Sequence, residues 1–192
     1  MARDRHGLVV CLWLAALMDA PGLAAQGLSA TLAVSKSLYF GGDYTATLGD
    51  WQADATLRYH VDGPFRVGVG IGGGKLDEPT TDSSFSSFKL FLEPSLAWDV
   101  GADLNAWAGA RYGWAHERVL DRANGLWAWG WEGGAVGGLD YAVSEDVGLG
   151  LQAEAMRLDL RRDDSGLAPA GGLDREGWRL SLGPVVRFGG GL

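Results

Sequence analysis

The sequence predicts an all-β fold, an eight-stranded antiparallel up-and-down β-barrel that crosses a membrane. Three observations carry that expectation. Apolar and polar residues alternate with period two in eight successive segments. Aromatic residues gather at both ends of the apolar faces. The connections between segments alternate long and short.

The segments fall at 28–35, 51–60, 65–72, 88–98, 105–114, 127–141, 147–156 and 178–188. In 51–60 one face reads Trp51, Ala53, Ala55, Leu57, Tyr59 and the other Gln52, Asp54, Thr56, Arg58, His60. Segment 88–98 sets Phe88, Leu90, Leu92, Pro94, Leu96 and Trp98 against Lys89, Phe91, Glu93, Ser95 and Ala97. Segment 28–35 is the weakest, with Leu28, Ala30, Leu32 and Val34 opposite Ser29, Thr31, Ala33 and Ser35. No segment carries a comparable helical period.

Long links are expected at about 36–50, 75–86, 116–125 and 160–176. Short turns are expected at Asp62-Gly63-Pro64, near 99–103 and at Ser144-Glu145-Asp146. Short turns inside, long loops outside and both termini inside is the arrangement of an outer-membrane barrel. Pro94 and Pro184 cannot donate to a neighbouring strand, so a bulge or local bend is expected at each. The run Gly68-Gly70-Gly72-Gly73-Gly74 lacks the Lys-Ser/Thr and the helix of a phosphate loop, and reads as strand and bulge.

Length and composition agree with a single barrel domain. A chain of 192 residues suits one domain. A mean hydropathy of +0.00 disfavours helical spans but not alternating strands, whose two faces average out. The 31 glycines suit a crowded interior and the 9 tryptophans suit interfacial belts. The net charge of −8 excludes nucleic acid as a partner by repulsion of phosphate.

The first 25 residues read as a cleaved signal peptide. Arg3 and Arg5 precede the apolar stretch GLVVCLWLAALM, which is shorter than the roughly 20 residues a helical span needs. Pro21-Gly22 and Ala24-Ala25 follow, placing cleavage after Ala25 or, alternatively, Ala24. Loss of this segment removes two arginines and two aspartates and leaves the balance at −8. It also removes Cys11, the sole cysteine, which follows Val10 rather than a small residue and so does not fit a lipidation site. Residues 26–192 form the barrel domain.

Alternation alone does not distinguish a soluble barrel, apolar inside, from a membrane barrel, apolar outside. The aromatics decide it. Tyr59, Phe65, Trp98, Tyr141 and Phe188 fall at the inner ends of the apolar faces. Trp51, Phe88, Tyr112, Trp114, Trp127, Trp129, Trp131 and Trp178 fall at the outer ends, with small and aliphatic residues between. Two girdles around an aliphatic band belong against lipid. The polar face then lines the lumen. It carries Arg58, Arg66, Lys89, Arg111, Arg179 and Arg187 against Asp54, Glu93, Glu132, Asp140 and Glu154. Eight strands leave room for side chains and not for an open pore, so these charges are expected to fill the lumen as a structural network.

In these features the chain resembles the small outer-membrane β-barrels, the OmpA/OmpX-like and opacity-like porin group. The resemblance covers residues 26–192 in pattern and includes the last strand, WRLSLGPVVRF, which ends on Phe188. In such families the terminal aromatic is usually the final residue and is read by the barrel-assembly machinery; here Gly189-Gly190-Gly191-Leu192 follow. The resemblance implies the outer membrane of a Gram-negative-type cell, contact with outer-membrane lipid and lipopolysaccharide, and a monomer. It does not imply one activity. A non-enzymatic surface protein, with loops for adhesion, envelope integrity or an extracellular ligand, is the leading expectation. A lipid A-modifying enzyme is the alternative, with His116, beside Glu117 and near Ser83, Ser84, Ser86 and Ser87, as its candidate. A small passive pore gated by Arg111, Arg179, Glu132 and Glu154 is a further one. No metal or cofactor motif is present; Asp77, Glu78, Asp82, Asp163 and Asp164 read as solvated loop charge rather than a calcium site.

Overall fold

A computed structural model describes residues 27–42, 44–78, 83–119, 127–162 and 175–189. The proposed signal peptide and its cleavage point lie outside the described residues. Eight strands follow in chain order: β1 (Leu28–Gly41), β2 (Tyr44–Asp62), β3 (Phe65–Glu78), β4 (Ser83–Asp99), β5 (Leu104–Val119), β6 (Trp127–Ala142), β7 (Val147–Arg162) and β8 (Arg175–Phe188). Each pairs antiparallel with the next, and β1 pairs with β8, closing the sheet. Closure leaves no unpaired strand edge, which is a condition for backbone in hydrocarbon.

Side chains alternate across the wall as the period requires. Along β4, Lys89, Phe91, Glu93, Ser95 and Ala97 are buried inside, while Phe88, Leu90, Leu92, Leu96 and Trp98 are exposed outside. Val67, Val69, Ile71, Leu139, Leu149, Leu151, Leu180 and Leu182 extend the outer apolar face around the barrel. In water so large an apolar surface would be a liability; against acyl chains it is the required contact.

The strands are longer than the sequence pattern suggests. They run 14 to 19 residues, whereas a tilted strand crosses the bilayer in about 9–11. The excess lies at the outer end, because the inner turns begin directly beneath the inner girdle. The expected links at 36–50 and 75–86 are therefore largely strand, and those at 116–125 and 160–176 are strand at their ends. The outer connections shrink to 42–43, 79–82, 120–126 and 163–174, and the first of them is as tight as the inner turn at 63–64. The long-short rule thus fails for the first connection. Gly41 and Gly42 make that turn at φ of 72° and 58°, a conformation costly for residues with a Cβ.

The prolines also differ from expectation: neither causes a bulge. Between β4 and β5 the pairing passes from Leu92↔Tyr112 to Ser95↔Gly109 with its register unchanged. Between β8 and β1 it passes from Lys36↔Leu182 to Ala33↔Val185 in the same way. Each proline opens a two-residue gap toward one neighbour and keeps its place opposite the other, at Val67↔Pro94 and Leu151↔Pro184. The shifts in register lie instead at Lys36/Leu38, Tyr39/Gly41 and His60/Asp62. The glycine run of β3 is likewise regular, with Gly68 to Gly74 in unbroken pairing on both sides.

Leu92 is 58% exposed in the middle of the apolar band. Leu92→Arg is expected to lower stability by about 2–4 kcal/mol, read as the urea unfolding midpoint in lipid vesicles.

Candidate functional site in the barrel lumen

The eleven lumen charges read from the sequence all lie on the inner face and are buried. Eight of them form one connected cluster. Arg111 on β5 is its centre, 1% exposed. Its Nη1 donates to Asp54 Oδ2 of β2 at 2.9 Å and to Glu154 Oε2 of β7 at 2.6 Å. Its Nη2 and Nε donate to Glu93 Oε2 of β4 at 2.5 and 3.1 Å. Arg58 holds the other oxygen of Glu93, with both Nε and Nη2 at 2.7 Å from Oε1, and donates from Nη1 to the Thr31 hydroxyl. Lys89 Nζ bridges Asp54 at 2.9 Å and Glu154 at 3.5 Å. Arg179 reaches Glu154 Oε1 at 3.1 Å and Glu132 Oε2 at 2.8 Å.

Four cations thus meet four carboxylates, and the cluster is neutral. That balance matters because an unpaired ion removed from water costs several kcal/mol. Two aromatic rings that the alternation places inside complete the packing. The Arg111 guanidinium carbon lies 4.0 Å from the ring centroid of Phe91, and that of Arg58 lies 4.6 Å from Trp107.

The glycines of β3 make this cluster fit. A Cβ on Gly70 would stand 2.4 Å from Cζ of Phe91, and one on Gly72 would stand 2.0 Å from Oδ1 of Asp54. The inner face of β3 is therefore bare opposite the bulkiest lumen side chains. The sequence points to glycine in a crowded interior but not to the side chains for which Gly70 and Gly72 make room. Nor does it point to Tyr39, which accepts from Gln52 Nε2 inside the barrel, or to the Ser37–Ser181 hydroxyl pair at 2.8 Å. Alternation from β2 outward fixes which face these residues take, but Tyr39 and Ser37 lie in what reads as a link.

Buried apolar groups flank the cluster along the wall on either side. Ala97, Trp107 and Val136 pack beneath it, toward the short turns. Ala115, Ala128 and Leu160 pack above it. Arg66, Arg187 and Asp140 lie beyond the lower group, at the short-turn mouth.

The girdle residues Trp51, Tyr59, Phe65, Phe88, Trp98, Tyr112, Trp129, Trp131, Tyr141 and Trp178 are exposed on the outer face, and Trp114 and Phe188 are partly so. The Trp127 side chain lies outside the described residues. Tyr112 stacks on Trp131 with centroids 5.4 Å apart, and Trp114 meets Trp129 at 5.0 Å. His116 belongs to this outer aromatic group, 4.7 Å from Trp129. Glu117, the next residue, points into the lumen and is 5% exposed. Ser87 pairs with Glu117, while Phe88 pairs with His116. The side chains of Ser83 and Ser84 lie outside the described residues, as do those of Asp77, Glu78, Asp82, Asp163 and Asp164. Among the described residues no group of three or more His, Cys, Asp or Glu could hold a metal.

No family model and no curated protein matches the chain. Solved structures do. Neisserial surface protein A superimposes with a TM-score of 0.69 over 84% of this chain and 96% of its own, at 14% identity. The outer membrane protein OprG from Pseudomonas aeruginosa gives 0.50 over 84% and 95%, at 15% identity. The chain has the fold of a small outer-membrane β-barrel. At such identity the shared property is the strand scaffold.

Removing Arg111 leaves three buried carboxylates short of a partner. Arg111→Met is expected to cost about 3–5 kcal/mol, measured by urea unfolding in vesicles. Gly70→Val forces Phe91 from its place and is expected to cost about 1–3 kcal/mol in the same measurement.

Proposed function

We propose that the chain is a non-enzymatic outer-membrane surface protein: a plugged barrel that anchors its outer connections for adhesion or envelope integrity. It reaches the membrane behind a cleaved signal peptide, is inserted by the barrel-assembly machinery and stands as a monomer among outer-membrane lipid and lipopolysaccharide. One observation carries the reading. The neutral cluster around Arg111 crosses the lumen, joining side chains of β2, β4, β5, β6, β7 and β8. An ion would have to break several charge-assisted bonds to pass. The outer strand ends and the connections at 79–82, 120–126 and 163–174 then supply the contact surface for an extracellular ligand. The opposite facing of His116 and Glu117 offers no support to acyl-transfer chemistry at the rim.

Two measurements test this. In planar bilayers the purified barrel is expected to show no large, stable conductance; regular open states would replace the anchor with a pore. On cells, deletion of residues 165–172 is expected to reduce surface binding while the heat-modifiable band persists in the outer-membrane fraction.

A further inference from the structure

We propose that the short-turn mouth of the lumen binds one monovalent oxyanion, with Arg66 as its anchor. A cavity of about 410 Å³ opens there, lined in part by His60, Arg66, Trp98, Asp99 and Asn105. Arg66 is 5% exposed and Asn105 3%. Both point inward, from β3 and β5.

The charge count sets the valence. The central cluster is neutral, with Arg58, Lys89, Arg111 and Arg179 against Asp54, Glu93, Glu132 and Glu154. Of the other buried charges, Glu117 lies at the outer end of the lumen, while Arg66, Arg187 and Asp140 lie at the short-turn end, where two buried cations face one buried anion. Among the described residues the Arg66 guanidinium has no ion pair or hydrogen bond. Asp140 and Asp99 attract it, while Arg58 and Arg187 repel it. A buried guanidinium without a bonded carboxylate is costly, and its planar fork matches two oxygens of a carboxylate or phosphate. The Asn105 amide supplies a further donor at the same cavity. Asp99 stands exposed at the rim, where its charge disfavours ligands carrying several negative charges. The ligand class is therefore a molecule presenting a single carboxylate or a singly charged phosphate group.

The test uses the full folded barrel in detergent micelles. The Arg66 side-chain Nε–H resonance is followed while sodium acetate or inorganic phosphate replaces sodium chloride at constant ionic strength. A saturable shift with acetate, phosphate or both is expected. Acetate alone would identify a carboxylate source and phosphate alone a phosphate source. Half-saturation is expected to rise about tenfold in Arg66→Lys, which keeps the charge and loses the fork. Protection of the fold by the anion, read as a rise in unfolding temperature, is expected to vanish in Arg66→Gln. Shifts that rise linearly without saturation, or that chloride reproduces, overturn the proposal. The wild-type titration decides this even where a variant fails to fold, and it is independent of any conductance or surface binding.

Discussion

Arg111 is the point on which this barrel turns. One guanidinium binds carboxylates from β2, β4 and β7, three strands that do not neighbour β5 in every case and that only closure brings together. A closed sheet of eight strands has a lumen narrow enough for such reach. The same cluster then works in the other direction. With its charges matched, the strands are tied across the lumen as well as around the wall. Hydrophobic burial does this in a soluble domain; here the apolar surface faces out, so polar bonds and aromatic packing hold the middle.

That inversion explains which parts of the molecule are legible in its sequence. Alternation within the bilayer is sharp, because one face meets acyl chains and the other meets ions. Leu90, Leu92 and Leu96 against Lys89, Glu93 and Ser95 leave no doubt about face or register. The girdle residues mark where that contrast ends. From the outer girdle outward the outer face turns polar too: Arg157 and Arg161 of β7, opposite Trp178 and Trp129, lie outward and exposed, and the period fades although the backbone pairing continues. Strand ends such as Leu38 to Gly41 or Ser83 to Ser86 consequently read as loop. The prolines mislead for a related reason. A missing donor costs one local gap, and the closed sheet holds register through the pairings on the other side of the strand.

The lumen charges show the limit of pattern reading. Their identity and inward direction follow from alternation, and their near balance of sign from counting. Their connectivity does not. That Glu93 takes both Arg58 and Arg111, and that Glu154 joins Arg111, Lys89 and Arg179, depends on stagger around the barrel. The glycines of β3 depend on it as well, since their use is to leave space for Phe91 and Asp54 across the ladder. The unequal treatment of Arg111, with three carboxylates, and Arg66, with none bonded, emerges at this same level.

The account requires a lipid-facing outer wall around a lumen closed to water. Single cysteines along β7 at 149–155, placed in a background without Cys11, measure both properties at once. Reaction with a membrane-impermeant maleimide and quenching of attached labels by lipid-borne quenchers are read position by position. The account predicts strong quenching at 149, 151, 153 and 155, weak quenching at 150, 152 and 154, and little maleimide reaction at any of them in the folded barrel. Ready maleimide reaction at 150, 152 and 154, or quenching without alternation, would contradict it.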